Sequence, residues 1–153
     1  AISDFRANTM ITRTAQLADI VRAAYRGRRA STTDPATKTF QAIRIEVNDE
    51  LGELERGLRA AEIVLAPGGR LVLVSFHSLE DRIAKDFLRS RSGGTPEGSR
   101  HLPIPNTPTS TPTFRLVNRR VVKPSAAEVK LNPRSRSARL RVAERLAATD
   151  PGG

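Results

Sequence analysis

A cluster of polar side chains directly after a short apolar run is the part of this sequence best suited to chemistry. The apolar run is residues 71–74, Leu-Val-Leu-Val, and the cluster is residues 75–82, Ser-Phe-His-Ser-Leu-Glu-Asp-Arg. The run predicts a short buried strand, and the cluster predicts the start of a helix. In open α/β sheets, ligands bind in the crevice beyond the carboxyl ends of the strands. We therefore expect a site at residues 75–82, built on hydroxyl, imidazole and carboxyl groups that can exchange protons.

The elements that must position this cluster begin with a long helical pattern. Apolar residues recur at steps of three and four through residues 40–65, which holds one helical face for about seven turns. Asp34-Pro35 supplies a cap and a first-turn proline, and Pro-Gly-Gly at residues 67–69 stops the helix. A helix, a glycine turn, a strand and a second helix form an αβα unit. The predicted fold class is therefore α/β, with the strand in a parallel sheet.

Several segments resemble the bacterial 16S ribosomal RNA cytosine-N4 methyltransferase family. In chain order they are TFQAIRI at 39–45, VNDEL at 47–51, LAPGGRL at 65–71, SFHSLEDR at 75–82 and NPRSRSARLR at 132–141. The resemblance extends over most of residues 38–146. It implies a Rossmann-like enzyme that uses S-adenosylmethionine, carries a helical domain inserted mid-chain, and has ribosomal RNA or the small ribosomal subunit as its partner.

The cofactor loop of that family is glycine-rich, follows the first strand, and lies in the N-terminal half. The Gly pairs of this chain, at residues 68–69, 93–94 and 152–153, do not follow predicted strands. The resemblance therefore implies that the chain is the C-terminal half of a longer enzyme, inactive by itself. The missing N-terminal half is an expected partner, and no cofactor-binding residue is assigned.

The predicted organisation has three parts. Residues 1–33 would be the remainder of the inserted helical domain, residues 34–147 the C-terminal part of the methyltransferase sheet, and residues 148–153 a frayed tail. Five prolines within residues 91–113 predict a loop. Three later segments are predicted strands: 114–117, 120–122 and 138–142. In the resembling family, the last strand of the sheet is antiparallel.

Positive charge is concentrated after the polar cluster. Residues 1–81 carry 11 basic and 11 acidic side chains, whereas residues 82–145 carry 15 basic and 4 acidic ones. Guanidinium groups pair bidentately with phosphate oxygens, so this arginine-rich excess favours RNA contact over a merely solvated surface.

Composition excludes several classes of function. The chain has no cysteine, which excludes disulfides and thiolate metal ligands, and its two histidines are far apart, so we expect no metal site. No apolar stretch approaches the roughly 20 residues of a membrane helix, and we expect a cytoplasmic location. An incomplete sheet would expose strand edges, which makes a homo-oligomer an expected outcome for the isolated chain.

The implied reaction indicates which side chains to single out. A methyltransferase must align the exocyclic nitrogen of an unstacked cytosine with the methyl donor and accept a proton from it. The candidate catalytic residues are Ser75, His77 and Ser78. The candidate substrate-binding residues are Gln41, Arg44, Asn48, Phe76, Arg82, Arg134 and Arg136, with Phe76 as a stacking surface and Arg82 as a phosphate ligand.

These assignments have structural alternatives that the sequence leaves open. Ser78 with Asp81 fits a helix cap, and His77 could serve only to satisfy a backbone carbonyl. Phe76 could be core, and Asp81 could instead pair with Arg82 or act as a base. The alternative to an enzyme is a non-catalytic, basic RNA-binding α/β module.

Overall fold

The structure is a computed structural model that describes residues 1–26, 33–93 and 111–147. The chain divides into two compact units, Ala1–Glu50 and Leu51–Gly153. Most of the predicted loop at 91–113 and the predicted tail at 148–153 lie outside the described residues.

The first unit is helical. It contains α1 (Ile2–Asn8), α2 (Thr14–Ala24) and α3 (Pro35–Asn48). Helix α3 begins as predicted, because the Asp34 carboxylate accepts a hydrogen bond from the Ala36 N–H at 2.9 Å and Pro35 occupies the first turn. A small apolar core joins α2 to α3 and consists of Ala18, Val21 and Ala36 with Leu17 and Phe40 against them.

The predicted uninterrupted helix through residues 40–65 is wrong. Helix α3 ends at Asn48 and α4 spans Glu50–Val64, with Asp49 between them in the left-handed region at φ 49°. Aspartate tolerates this conformation because its short polar side chain can bond locally. Ile43 and Val47 of the predicted apolar stripe are 43% and 77% exposed, so that stripe is not buried along its length.

The second unit carries the polar cluster. After α4 its elements are β1 (Arg70–Ser75), α5 (Ser78–Arg91), β2 (Phe114–Leu116), α6 (Ala126–Leu131), a 3₁₀ helix (Pro133–Ser137) and β3 (Arg139–Arg145). The predicted turn between α4 and β1 is confirmed, with Gly68 at φ 81°. A side chain at Gly69 would stand 2.8 Å from the Ala66 carbonyl oxygen, so this position requires glycine. Helix, turn, strand and helix therefore follow one another as the sequence predicts.

The three strands form a sheet in the order β1-β3-β2. Strand β3 is antiparallel to both neighbours, as expected for the last strand, so β1 and β2 run in the same direction. A parallel pair does not occur among the described strands, and β3 separates β1 from β2. The predicted strand at residues 120–122 is reduced to a single bridge between Val122 and Leu140.

Among the described residues, apolar side chains cover one face of this sheet. Leu88, Phe114 and Ala143 form the core of the unit, with partly buried apolar side chains around them: Leu65, Leu71, Leu73, Phe87 and Leu116. The prediction of a buried β1 is wrong, because Val72 and Val74 on its other face are 54% and 53% exposed. An antiparallel sheet can pack on one face and leave the other open, which the apolar run alone did not reveal.

Candidate functional site

His77, not Ser78, caps the helix that follows β1. The His77 Nδ1 accepts a hydrogen bond from the Glu80 N–H at 3.3 Å. The Glu80 carboxylate in turn accepts from the backbone N–H groups of Phe76 at 2.9 Å and His77 at 3.3 Å, which completes a reciprocal capping box. The predicted cap pair Ser78 and Asp81 is therefore wrong by one position, and Ser78 is the first residue of α5.

The cap determines which nitrogen of a neutral His77 ring carries the proton. Because Nδ1 accepts a hydrogen bond, a neutral ring carries its proton on Nε2. Nε2 is buried and lacks a hydrogen bond within the described residues, although Glu80 Oε1 lies 3.1 Å away outside hydrogen-bond alignment. His77 therefore offers a donor at Nε2, and it would have to give up the cap to accept a proton at Nδ1.

The other candidates in residues 75–82 differ in their access to solvent. Ser75 is buried at the end of β1, opposite Arg139 on β3. Phe76 is 56% exposed, and Ser78 and Arg82 are exposed. An exposed ring, hydroxyl and guanidinium thus occur within seven residues of one another at the start of α5. The alternative of Phe76 as core is wrong, since a core ring would be buried.

Asp81 has a role that the sequence did not indicate. It is buried in the first turns of α5 and binds two arginines of β3: Arg139 Nη1 donates to Oδ2 at 2.8 Å, and Arg141 Nε donates to Oδ1 at 2.8 Å. The hydrogen bond from Arg141 is the largest cause that holds the pKa of Asp81 below its usual value, and it outweighs burial, which raises that pKa. Of the alternatives left open, pairing with Arg82 and a place in the cap are wrong. The role of Asp81 as a general base stays a prediction. A carboxylate whose two oxygens both accept hydrogen bonds from arginines, and whose pKa is lowered, is poorly suited to take up a proton.

A second ion-pair network joins α4, α5 and the strands. Glu62 accepts hydrogen bonds from Arg91 Nε at 2.9 and 3.0 Å and from the Thr113 hydroxyl. Arg145 donates from Nε to the Glu62 carbonyl at 3.1 Å and from Nη1 to the Thr113 carbonyl at 2.9 Å. Burial raises the pKa of Glu62, but these donors outweigh burial and the pKa is lowered. This network connects the end of α4 with the end of α5 and with residues at the ends of β2 and β3. Its side chains are paired with one another, so we assign them no role in chemistry.

The two arginines of the closing motif lie on the 3₁₀ helix. Arg134 and Arg136 are both exposed, while Ser135 between them is buried and donates to the Asn132 carbonyl at 2.8 Å. Because Ser135 is buried between them, Arg134 and Arg136 both extend into solvent. They stay predicted RNA ligands.

The three candidate residues on α3 belong to the first unit. Gln41 is half-buried, whereas Arg44 and Asn48 are exposed. Arg44 Nε lies 2.8 Å from Glu50 Oε1, and the Asn48 amide donates to the same oxygen at 3.4 Å. Arg44 and Asn48 are thus held near Glu50 at the end of α3, and their role in substrate binding stays a prediction.

The described residues do not by themselves fit S-adenosylmethionine. Strand β1 leads into α5 through Phe76 and His77 without a glycine that would let a backbone approach a cofactor. The nearest carboxylates, Glu80 and Asp81, are engaged by the helix cap and by the arginines of β3. No step is therefore assigned to a cofactor held by these residues.

Residues 1–26, 33–93 and 111–147 contain neither a metal-binding cluster nor a membrane-spanning helix. No group of three or more histidine, cysteine, aspartate or glutamate residues there could hold a metal ion. None of the helices in this part of the chain is long and apolar enough to cross a membrane.

Comparison with known proteins gives a consistent set of relatives. The family model described as the MraW methylase family matches residues 1–146. A protein of Rhizorhabdus wittichii named ribosomal RNA small subunit methyltransferase H is 58% identical over 142 residues, which cover 93% of this chain and 44% of that protein. Proteins with the same name are similar in Hyphomonas neptunium (58% over 135 residues, 88% of this chain and 39% of that protein) and Rhodospirillum rubrum (53% over 160 residues, 100% and 49%). The chain thus spans less than half the length of these curated relatives.

Proposed function

The chain belongs to the MraW methylase family, and from this premise we propose that it is the C-terminal part of an S-adenosylmethionine-dependent enzyme. That enzyme would methylate the exocyclic N4 of a cytosine in small-subunit ribosomal RNA. The names of the relatives support the class of substrate. The cytosine specificity is supported by the resemblance of the segments at 39–45, 47–51, 65–71, 75–82 and 132–141 to the cytosine-N4 methyltransferase family. In this proposal residues 1–33 end an inserted helical domain, and the sheet is the last part of a Rossmann-like sheet.

The observation that carries the proposal is the place of residues 75–82. They leave the carboxyl end of β1 and open α5, where α/β folds build their sites. Phe76 is more than half exposed there, so its ring would stack on an unpaired cytosine. Arg82 is exposed on the second turn of the same helix and would pair with a phosphate of the target strand.

In this proposal the three candidate catalytic residues, Ser75, His77 and Ser78, have different hydrogen-bonding roles. Because Nδ1 is occupied by the Glu80 N–H, His77 would donate from Nε2 to an acceptor on the cytosine, and this buried nitrogen would have to become accessible when the substrate binds. The hydroxyls of Ser75 and Ser78 would then be the groups that accept from the exocyclic amine as positive charge develops on nitrogen. Ser78 is the better placed of the two, since it is exposed whereas Ser75 is buried.

Substrate contacts beyond the cluster would come from positive side chains. Arg134 and Arg136 are exposed on the 3₁₀ helix and would bind the RNA backbone, which makes their contribution salt-dependent. Gln41, Arg44 and Asn48 on α3 would add contacts from the helical unit. Ribosomal RNA or the small subunit is the partner in this proposal, and the cytoplasm is the location.

The test is a full-length chimera. The 142-residue segment of the Rhizorhabdus wittichii relative that matches this chain is replaced by this chain, and methyl transfer to small-subunit ribosomal RNA is followed with mass-spectrometric detection of N4-methylcytosine. We expect the chimera to methylate and this chain alone to be inactive, because the described residues form no cofactor site. Methylation by this chain alone, or formation of a different methylated base, would contradict the proposal.

A second candidate is a basic RNA-binding module, favoured by the arginine excess in residues 82–145. Such a module would bind RNA as a cooperatively folded monomer, and a chimera containing it would bind RNA without methylating it. RNA binding with intact folding but no methyl transfer in the chimera would support this candidate instead.

A further inference from the structure

The two arginines that bind Asp81 are engaged to different extents. Arg141 donates from Nε to Oδ1 at 2.8 Å and from Nη2 to Oδ2 at 3.2 Å, so it alone reaches both carboxylate oxygens. Arg139 donates from Nη1 to Oδ2 at 2.8 Å, and within the described residues its Nε and Nη2 groups have no hydrogen bond. The Nε and Nη2 edge is the one through which Arg141 holds a carboxylate. In Arg139 the same edge is unused.

Exposure separates these two arginines in the same way. The Arg141 side chain is 16% exposed, whereas that of Arg139 is 38% exposed. The Asp81 carboxylate already has a positive partner in Arg141, so Arg139 brings a second positive charge to it. A guanidinium that is held in one orientation before a ligand arrives loses less conformational entropy when the ligand binds. Arg139 thus has the form of a preorganised anion-binding group.

Arg139 also lies at the candidate site. Register places it opposite Ser75, the last residue of β1, and its partner Asp81 is in the first turns of α5. The guanidinium is therefore fixed between the end of β1 and the beginning of α5. This is the place to which the proposed function assigns the target nucleotide.

Further positive side chains lie at the same end of the sheet. Arg134 and Arg136 are exposed on the 3₁₀ helix that directly precedes β3. Val122 forms a bridge with the second residue of β3, and the exposed Lys123 follows it. Residues 119–139 contain seven basic side chains and one acidic side chain. Such an excess suits a ligand with many negative charges along a chain better than a ligand with a single carboxylate.

We propose that Arg139 binds a phosphate of the target RNA strand at the candidate site, while Asp81 holds its guanidinium. The inference rests on the proposed function, because RNA is the substrate there, and it adds a residue that the sequence-based candidates did not include. The unused Nε and Nη2 edge matches two phosphate oxygens in a bidentate pair. Arg139 therefore has two partners, a carboxylate within the chain and a phosphate of the substrate.

The test is an RNA-binding measurement with the chimera described above. Arg139→Gln removes the charge, while Arg141 still engages both oxygens of Asp81, so we expect the variant to fold. Filter binding of a radiolabelled small-subunit ribosomal RNA transcript is measured over a series of salt concentrations. We expect the Kd to rise about tenfold, as for the loss of a charged hydrogen bond. The slope of log Kd against log salt should decrease in magnitude by about 0.7 to 0.9, which corresponds to one phosphate contact.

Arg115→Gln is the matched control. Arg115 lies on the same sheet, is 67% exposed and pairs with Glu144 at 2.9 Å. Glu144 is five residues from Arg139 along β3, or about 17 Å. The control removes the same net charge away from the candidate site, so its Kd and salt slope should stay within about twofold of those of the parent chimera. Equal effects of the two substitutions would overturn the proposal, because the loss would then reflect net charge alone.

Arg139→Lys is the second variant in case Arg139→Gln does not fold. Lysine keeps a positive charge beside Asp81 but lacks the planar fork, so it pairs with phosphate as a point charge. We expect this variant to raise the Kd for RNA about threefold and to keep the salt slope. A folded Arg139→Lys chimera with the parent Kd, where the glutamine variant does not fold, would overturn the proposal.

Two further results would assign Arg139 another role and would also overturn the proposal. Unchanged RNA binding with a lower free energy of unfolding in urea would make Arg139 only a structural partner of Asp81. Unchanged RNA binding with weaker binding of S-adenosylmethionine in calorimetry would assign the guanidinium to the carboxylate of the methyl donor. Filter binding does not depend on methyl transfer. A chimera that binds RNA without methylating it would therefore contradict the proposed function and still report on Arg139.

Discussion

Arg141, in the middle of β3, donates two hydrogen bonds to Asp81 in the first turns of α5, from Nε at 2.8 Å and from Nη2 at 3.2 Å, across 60 residues of sequence. The Asp81 carboxylate is 9% exposed and the Arg141 side chain 16%. Arg139 adds a third hydrogen bond to the same carboxylate. This contact ties the helix that opens the candidate site to the central strand of the sheet.

Removal of the Asp81 charge should destabilise the second unit. We expect Asp81→Asn to lower the free energy of unfolding by about 3 kcal/mol, because two arginines lose their partner and one of them is largely buried. The measurement is urea denaturation followed by circular dichroism. Asp86→Asn is the matched control on α5, where the aspartate is 60% exposed, and it should have little effect. Equal effects of the two substitutions would show that the contact contributes nothing to stability.

Stability should fall with acidification. The pKa values of Asp81 and Glu62 are lowered in the folded chain, so their contribution is complete above the unfolded values near 3.8 and 4.5 and is lost as the pH falls through the folded values. The denaturation midpoint should therefore be constant from pH 7 to about pH 5 and decrease below about pH 4. Asp81→Asn should flatten this decrease, and an unchanged slope in that variant would assign the acid sensitivity to other groups.

The two roles of His77 can be separated by substitution. His77→Ala removes the helix cap and should destabilise the second unit by about 1 kcal/mol, whereas His77→Asn supplies another capping side chain and should restore stability. In the chimera, His77→Asn should nevertheless reduce methyl transfer by about tenfold or more, because the donor at Nε2 is lost. Full activity of a stable His77→Asn chimera would mean that the histidine is only a cap.

The core of the second unit should be sensitive at Phe114. This ring is 1% exposed, lies 6.1 Å from the Phe87 ring between centroids, and packs under the Arg145 guanidinium at 5.7 Å. Phe114→Ala should cost about 3–5 kcal/mol in the free energy of unfolding. Val117→Ala, at a valine that is 50% exposed just beyond the same strand, is the control and should cost about 0.5 kcal/mol or less. A small effect at Phe114 would contradict the packing described for β2.

This chain alone should not bind S-adenosylmethionine. The described residues contain no cradle for it, so isothermal titration calorimetry should show no saturable heat, whereas the full-length chimera should bind with one site. One-to-one binding by this chain would contradict this expectation and would show that its own residues build a complete cofactor site. The same titration with Asp81→Asn in the chimera should leave the stoichiometry unchanged.

The sequence predicted several local parts of both units well. The Asp34-Pro35 start of α3, the glycine turn at residues 67–69, strand β1 and the helix after it are all present. Each depends on residues within a few positions of one another, so propensity and spacing suffice to predict it. The cap of α5 was misplaced by one residue because histidine is a less common cap than serine, although the Glu80 three positions later was a usable signal.

Features that depend on distant residues were not predictable in this way. The sequence by itself determined which family this chain resembles, that a glycine turn, a strand and a helix follow one another around residues 67–91, and where the positive charge is concentrated, because all of these are properties of residue order. Only the tertiary structure decided that Asp81 pairs with arginines 58 and 60 residues away, that β3 lies between β1 and β2, and that β1 is open on one face. The order of the strands and the covering of each face depend on how the whole chain folds back on itself. The apolar run in residues 71–74 has the same pattern whether one face of the strand is covered or both, so the sequence alone could not distinguish the two cases.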